Sequence, residues 1–159
     1  SLPAQGRRRR KSRARHALIA VAKSPMTRHA GACRCGRINW TCAEDPTSVS
    51  YCHCDDCRRA TGAPVTIFVG FAESGLTFAG ARPVAHQAAP SVSRLFCPDC
   101  GTPVAYQDRR LSNRLYFYIG VMRTPDRYMP TCHAFVAEKL AWLWINDGLP
   151  RYDALSQPR

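Results

Sequence analysis

The chain has no long apolar run. The stretch at residues 17–22, Ala-Leu-Ile-Ala-Val-Ala, counts six residues, far short of the roughly 20 that a membrane-spanning helix needs and short even for the apolar core of a secretory signal. No secretory segment is therefore read ahead of the cysteines, no membrane partner is expected, and a cytoplasmic location is. There is also no glycine-rich loop of the kind that cradles nucleotide phosphates. Acidic residues are missing from residues 1–28, which hold nine Arg or Lys. Of the formal net charge of +12, only +3 therefore belongs to residues 29–159, where 14 basic groups face 11 acidic ones. The high pI is thus a property of the leader and cannot mark the remainder as a nucleic-acid binder.

The run Arg7-Arg8-Arg9-Arg10-Lys11, with Arg13 and Arg15, would attract phosphate or acidic lipid without reading sequence. Nucleic acid is expected as a partner only through this leader. Residues 12–23 suit a helix by composition, yet Met26 is a plausible natural start. Residues 1–28 are accordingly read as a flexible or upstream-derived leader, residues 29–155 as one domain and residues 156–159 as a tail. A chain of 159 residues can bury one ordinary core.

What the sequence has in quantity is cysteine. Seven of its nine cysteines fall in groups: Cys33-x-Cys35, Cys52-x-Cys54-x-x-Cys57 and Cys97-x-x-Cys100. Close pairs chelate one ion, and the glycines in Cys35-Gly36 and Cys100-Gly101 let the backbone turn beside it. An odd cysteine count and a Cys-x-Cys spacing too tight for a relaxed bridge argue against disulfides. Cys97-x-x-Cys100 could be a redox pair, but other thiol groups need partners, and a zinc knuckle reads better. The numbers suggest one zinc held by four thiolates and a second held by three. Spacing alone leaves open which pairs share an ion. Four ligands close a structural site, whereas three leave a position for water or a substrate thiol. Ionised ligands and two zinc ions would remove about three further positive charges, leaving the domain near neutrality.

Strands are predicted at residues 37–42, 65–71, 76–79, 83–88, 92–96, 102–106, 114–119 and 131–136, from β-branched and aromatic runs punctuated by Gly and Pro, and residues 49–51 lead into the three-cysteine loop. A helical turn at residues 55–60 ends at Gly62, and residues 138–143 carry a modest helix signal. The expected class is mainly β, a multi-stranded domain stapled by zinc. Trp40, Trp142 and Trp144 are read as core or pocket wall. Cys42 and Cys132 are read as small buried hydrophobes. His53, between two ligands, is expected to point away from the metal, and His133 to be an ordinary hydrogen-bonded histidine.

These residues closely resemble the glutathione-dependent formaldehyde-activating enzyme family. The resemblance rests on Gly31-Ala32-Cys33-Arg34-Cys35-Gly36, on Tyr51-Cys52-His53-Cys54-Asp55-Asp56-Cys57-Arg58-Arg59-Ala60-Thr61-Gly62, and on Phe96-Cys97-Pro98-Asp99-Cys100-Gly101-Thr102-Pro103. Glu138-Lys139-Leu140-Ala141-Trp142-Leu143 and Asp147-Gly148-Leu149-Pro150-Arg151-Tyr152 also look like the family. The resemblance implies a fold shared with the B-type methionine sulfoxide reductases and translationally controlled tumour protein. It assigns Cys33, Cys35, Cys97 and Cys100 to a structural zinc and Cys52, Cys54 and Cys57 to a catalytic one. The implied activity is that of a carbon-sulfur lyase, joining glutathione and formaldehyde into S-hydroxymethylglutathione. Zinc could there hold the thiolate or polarise the carbonyl. Arg58 and Arg59 are candidates to hold glutathione carboxylates, or else they pair with Asp55 and Asp56. The chain departs from the family at Gly120-Val121-Met122-Arg123-Thr124-Pro125, where Gly-x-Leu-Asp-Asp-Pro is common, and this changes the charge of a turn expected near the pocket. A noncatalytic zinc scaffold and a nucleic-acid-associated module remain as alternatives, and exposed strand edges make a homodimer reasonable.

Overall fold

The computed structural model describes residues 29–111 and 113–155. The leader at residues 1–28, with its expected helix at 12–23, and the tail at 156–159 lie outside the described residues. Strands β1 (His29–Ala32), β2 (Ile38–Cys42) and β3 (Ser48–Cys52) precede the helix α1 (Asp55–Thr61). After it come β4 (Thr66–Ala72), β5 (Leu76–Gly80), β6 (Val84–Ala89), β7 (Val92–Phe96), β8 (Pro103–Asp108), β9 (Arg114–Tyr118) and β10 (His133–Ala134). The expectation of a mainly β chain therefore holds.

The strands form two sheets. One has the order β1-β2-β5 and the other the order β10-β3-β4-β9-β8-β7-β6. Pairing is antiparallel throughout except for the short parallel contact of β10 with β3. The core lies between the sheets. Trp40 on β2 stacks on Phe117 of β9 with ring centroids 3.9 Å apart, and Phe71 of β4 closes its flank. Ile38, Val69 and Val104 are fully buried around them. Gly31 on β1 is required by this packing, since a Cβ there would sit 2.4 Å from the Trp40 indole.

Five sequence expectations change. β1 was not foreseen, because His-Ala-Gly-Ala carries little strand propensity; pairing with β2 supplies what propensity does not. The strand expected at 131–136 shrinks to two residues, since Phe135 adopts a left-handed conformation (φ 57°) and a 3-10 turn follows at Val136–Glu138. No α-helix forms at 138–143. The Arg58 guanidinium takes the Glu138 carbonyl (2.7 Å) and the Glu138 carboxylate takes the Asp55 amide (2.7 Å), tying the segment to α1 instead. Trp142 and Trp144 are 68% and 82% exposed rather than core, Trp144 lying beneath the Lys139 ammonium. Cys42 is buried as expected, while Cys132 is only half-buried.

Candidate metal centres and the cavity above one of them

Cys33 and Cys35 leave β1 through a turn that closes on Gly36, whose amide donates to the Cys33 carbonyl (2.9 Å). Cys97 and Cys100 follow β7 in a matching turn, Gly101 donating to the Cys97 carbonyl (2.9 Å). The two turns meet, and all four sulfurs lie within 4.8 Å of one another. The Cys33–Cys35 and Cys35–Cys97 separations are 3.4 and 3.8 Å. Tetrahedral zinc with Zn–S bonds near 2.3 Å would set its sulfurs about 3.8 Å apart, and the four thiols match that spacing. The Ile38 amide points at the Cys33 sulfur (3.3 Å), and the Thr102 hydroxyl lies 3.0 Å from that of Cys100. The Thr102 contact leads the causes that hold the Cys100 thiol down at about 6.

The second group is local. Cys52 ends β3, Cys54 caps α1 by accepting the Cys57 amide (3.3 Å), and Cys57 lies within the helix. Gly62, with φ 70°, ends α1 as expected. Cys52 Sγ is 3.4 Å from Cys54 Sγ and 3.6 Å from Cys57 Sγ. The Cys52 and Cys57 thiols donate to Cys54, and with the Cys57 amide they hold its thiol down at about 2. The same sharing drives the Cys52 thiol strongly upward. Among the described residues no fourth His, Cys, Asp or Glu joins these three sulfurs. A soft trithiolate set suits zinc.

His53 turns away from the sulfurs, as expected for a neighbour in extended chain. Its Nε2 lies 2.9 Å from His133 Nδ1, and His133 Nε2 lies 3.0 Å from Asp147 Oδ2. The Asp147 carboxylate must accept from His133 Nε2–H, so His133 Nδ1 accepts from His53 Nε2–H. His53 Nδ1 is left buried without a partner. Burial first, and His133 second, lower the His53 pKa to about 4. This chain joins residues 80 positions apart, and no spacing in the sequence announces it.

A cavity of about 350 Å³ opens over the three sulfurs. Phe68, Tyr106, Tyr116, Phe135 and Leu111 form much of its wall, with Ser48, Ser50, Asp56, Asp108, Arg110 and Glu138 supplying polar groups. Arg58 and Arg59 are not among its lining residues. Both bond to Asp55, at 3.3 and 2.6 Å, and Arg58 also donates to the His53 carbonyl. Among the described residues the guanidinium that reaches these sulfurs is Arg94, which sequence reasoning missed because it sits in an ordinary strand. It is 3.7 Å from Cys57 Sγ, donates to the Tyr118 hydroxyl (2.9 Å) and pairs with Asp56. Burial disfavours its charge, but Tyr118, Cys57 and Asp56 outweigh that and raise its pKa. The departing turn at 120–125 lies away from the cavity. Arg123 donates from its amide to the Ala30 carbonyl (2.9 Å) and from its side chain to Asn39 (3.1 Å), so the altered charge falls beside the smaller sheet.

Residues 28–138 match the family model described as glutathione-dependent formaldehyde-activating enzyme. The chain belongs to that family. The match takes in both cysteine clusters and stops before the segment at 147–152 that carries Asp147. A crystal structure of a Rhodobacter sphaeroides protein is similar with a TM-score of 0.49 and 18% identity, over 77% of this chain and 98% of that one. No curated protein matches the sequence. No helix among the described residues is long and apolar enough to cross a membrane.

Proposed function

We propose that the protein is a zinc-dependent enzyme of the carbon-sulfur lyase type, which makes or breaks the bond between a thiol and an aldehyde carbon. The observation that carries this reading is the trio Cys52, Cys54 and Cys57, three sulfurs at the floor of a cavity with no fourth protein donor among the described residues. Cys33, Cys35, Cys97 and Cys100 would hold a second, structural ion on the scaffold we read as that of the B-type methionine sulfoxide reductases. A zinc bound by the trio supplies a Lewis-acidic position that stabilises a substrate thiolate at neutral pH or polarises a carbonyl.

The chain's own residues do the rest. Phe68, Tyr106, Tyr116 and Phe135 shield the reacting atoms from water and hold the two partners together. The Arg94 guanidinium, fixed by Asp56 and Tyr118, offsets negative charge on the Cys57 sulfur. In the forward direction the sulfur–carbon bond forms as the carbonyl π pair moves to oxygen, and the proton lost by the thiol ends there. No oxidant or reductant is consumed. The reaction for which the family is named uses glutathione and formaldehyde in this way. Residues 29–155 act as the unit, in the cytoplasm, and a homodimer remains a proposal resting on open strand edges.

Zinc-edge absorption with metal analysis, with and without added thiol, tests the reading. Two zinc equivalents and a rise in average sulfur coordination on adding thiol are expected. Four protein ligands at both metals would instead make the protein a noncatalytic scaffold. Cys54→Ala should abolish adduct formation while one zinc and the fold remain.

A further inference from the structure

We propose that Arg110 recognises a carboxylate of the thiol substrate, so that the site prefers an anionic, peptide-like thiol to a neutral one. This deepens the proposed function and rests on it. The three sulfurs account for a thiol but not for the body that carries it. The cavity above them, about 350 Å³, has the size of a small-molecule site rather than of a lone sulfhydryl group.

Arg110 is the one cation lining that cavity among the described residues, and its side chain is 48% exposed. A turn sets its position. Asp108 ends β8 with its carboxylate buried, its carbonyl accepts the Leu111 amide (2.8 Å) and its Oδ1 accepts the Arg110 amide (3.0 Å). The same carboxylate takes Arg110 Nε at Oδ1 (2.9 Å) and Nη2 at Oδ2 (2.7 Å), which uses two of the five guanidinium N–H groups. The remaining three, on Nη1 and the outer side of Nη2, meet no second carboxylate among the described residues. They form the other edge of a planar fork, the geometry that takes a carboxylate through two parallel bonds. The Arg110 bond leads the causes that hold the Asp108 carboxyl down at about 2, so the clamp stays charged across the neutral range.

The other guanidinium groups are placed differently. Arg94 is spent on Asp56, Tyr118 and the Cys57 sulfur, and its unpartnered Nε is sealed from any ligand by burial. Arg58 is spent on Asp55 and on the carbonyls of His53 and Glu138. Arg59 keeps free donors, but it borders a shallower outer cleft with His86 and Arg94 and does not line the cavity over the sulfurs. Of the acids on the cavity wall, Asp56 and Asp108 are each offset by an arginine. Glu138 bonds to the neutral Asp55 amide (2.7 Å), and its charge suits the ammonium group that a peptide thiol also carries.

Calorimetric titration of the zinc-loaded full chain with glutathione and with its diethyl ester tests the assignment, because the two differ only at the carboxylates. The native protein is expected to bind glutathione about tenfold more tightly than the ester, the scale of one charge-assisted fork. Arg110→Gln should bring the two to within about twofold of each other. Arg110→Lys keeps a cation beside Asp108, and so the turn, but loses the fork; a preference of about threefold should remain. Equal binding of the two by the native protein overturns the proposal, as does a tenfold preference that survives in either variant. A preference that survives in Arg110→Gln and is lost in Arg59→Ala places the carboxylate in the outer cleft and overturns it as well. Binding of neither thiol, with metal analysis showing both ions in place, sinks the thiol-enzyme reading itself and this assignment with it.

Discussion

Gly31 shows how a single atom is excluded. The Trp40 ring cannot retreat from a new methyl, because Phe117 stacks on it and Phe71 blocks its flank. Gly31→Ala should therefore cost about 1–3 kcal/mol, typical of overpacking in a filled core, read as a lower urea midpoint with both metals retained. An unchanged midpoint would mean that the indole has room to move. At this scale the sequence was most legible where ligands are close neighbours. Cys52, Cys54 and Cys57 share one turn of chain, so their spacing already encodes their meeting. Arg94 and Arg110 were invisible for the opposite reason. Each owes its place to residues on other strands or to a buried carboxylate, and neither belongs to a motif. Arg58 and Arg59 drew attention by adjacency to the cysteines, yet an i,i+3 and an i,i+4 pairing with Asp55 satisfies them within α1.

Elements of strong period and composition were readable. Residues 65–71 gave β4, and residues 92–96 gave β7 without a shift. The C-terminal segment misled because its apolar residues suggest a packed helix, while its backbone is claimed by long-range partners. His133 donates its amide to the Pro150 carbonyl (2.8 Å) and Phe135 to Ala154 (3.0 Å), so residues 150–154 run beside β10. That docking brings Asp147 to His133 and His133 to His53. A histidine whose folded pKa lies near 4 resists protonation that the unfolded chain accepts near 6.5. The stability it supports is full above about 6.5 and is lost as pH falls toward about 4. Urea midpoints of the native protein and of His53→Gln should thus draw together on acidification from pH 7.5 to 5. A gap that stays constant with pH would show that His53 is not held neutral.

Across the whole molecule the two cysteine clusters do different work. The four-sulfur group ties the turn after β1 in one sheet to the turn after β7 in the other, whereas the three-sulfur group lies within one turn and helix. Cys100→Ala and Cys54→Ala should each lose one zinc equivalent. The first should lower Tm by roughly 10 °C or more and the second by about 3 °C or less, if only the four-sulfur group holds the sheets together. Similar losses in both variants would refute that division. The same arrangement orders the steps of folding. Cys52 and Cys57 are five residues apart, but Cys35 and Cys97 are separated by 62. Closing the longer loop costs about 2 kcal/mol more in chain entropy. A newly made chain can thus fill its three-thiol turn while still unfolded, and the clasp between sheets forms last. When metal is scarce, the population that accumulates would carry its reactive ion before it has the walls that shelter it.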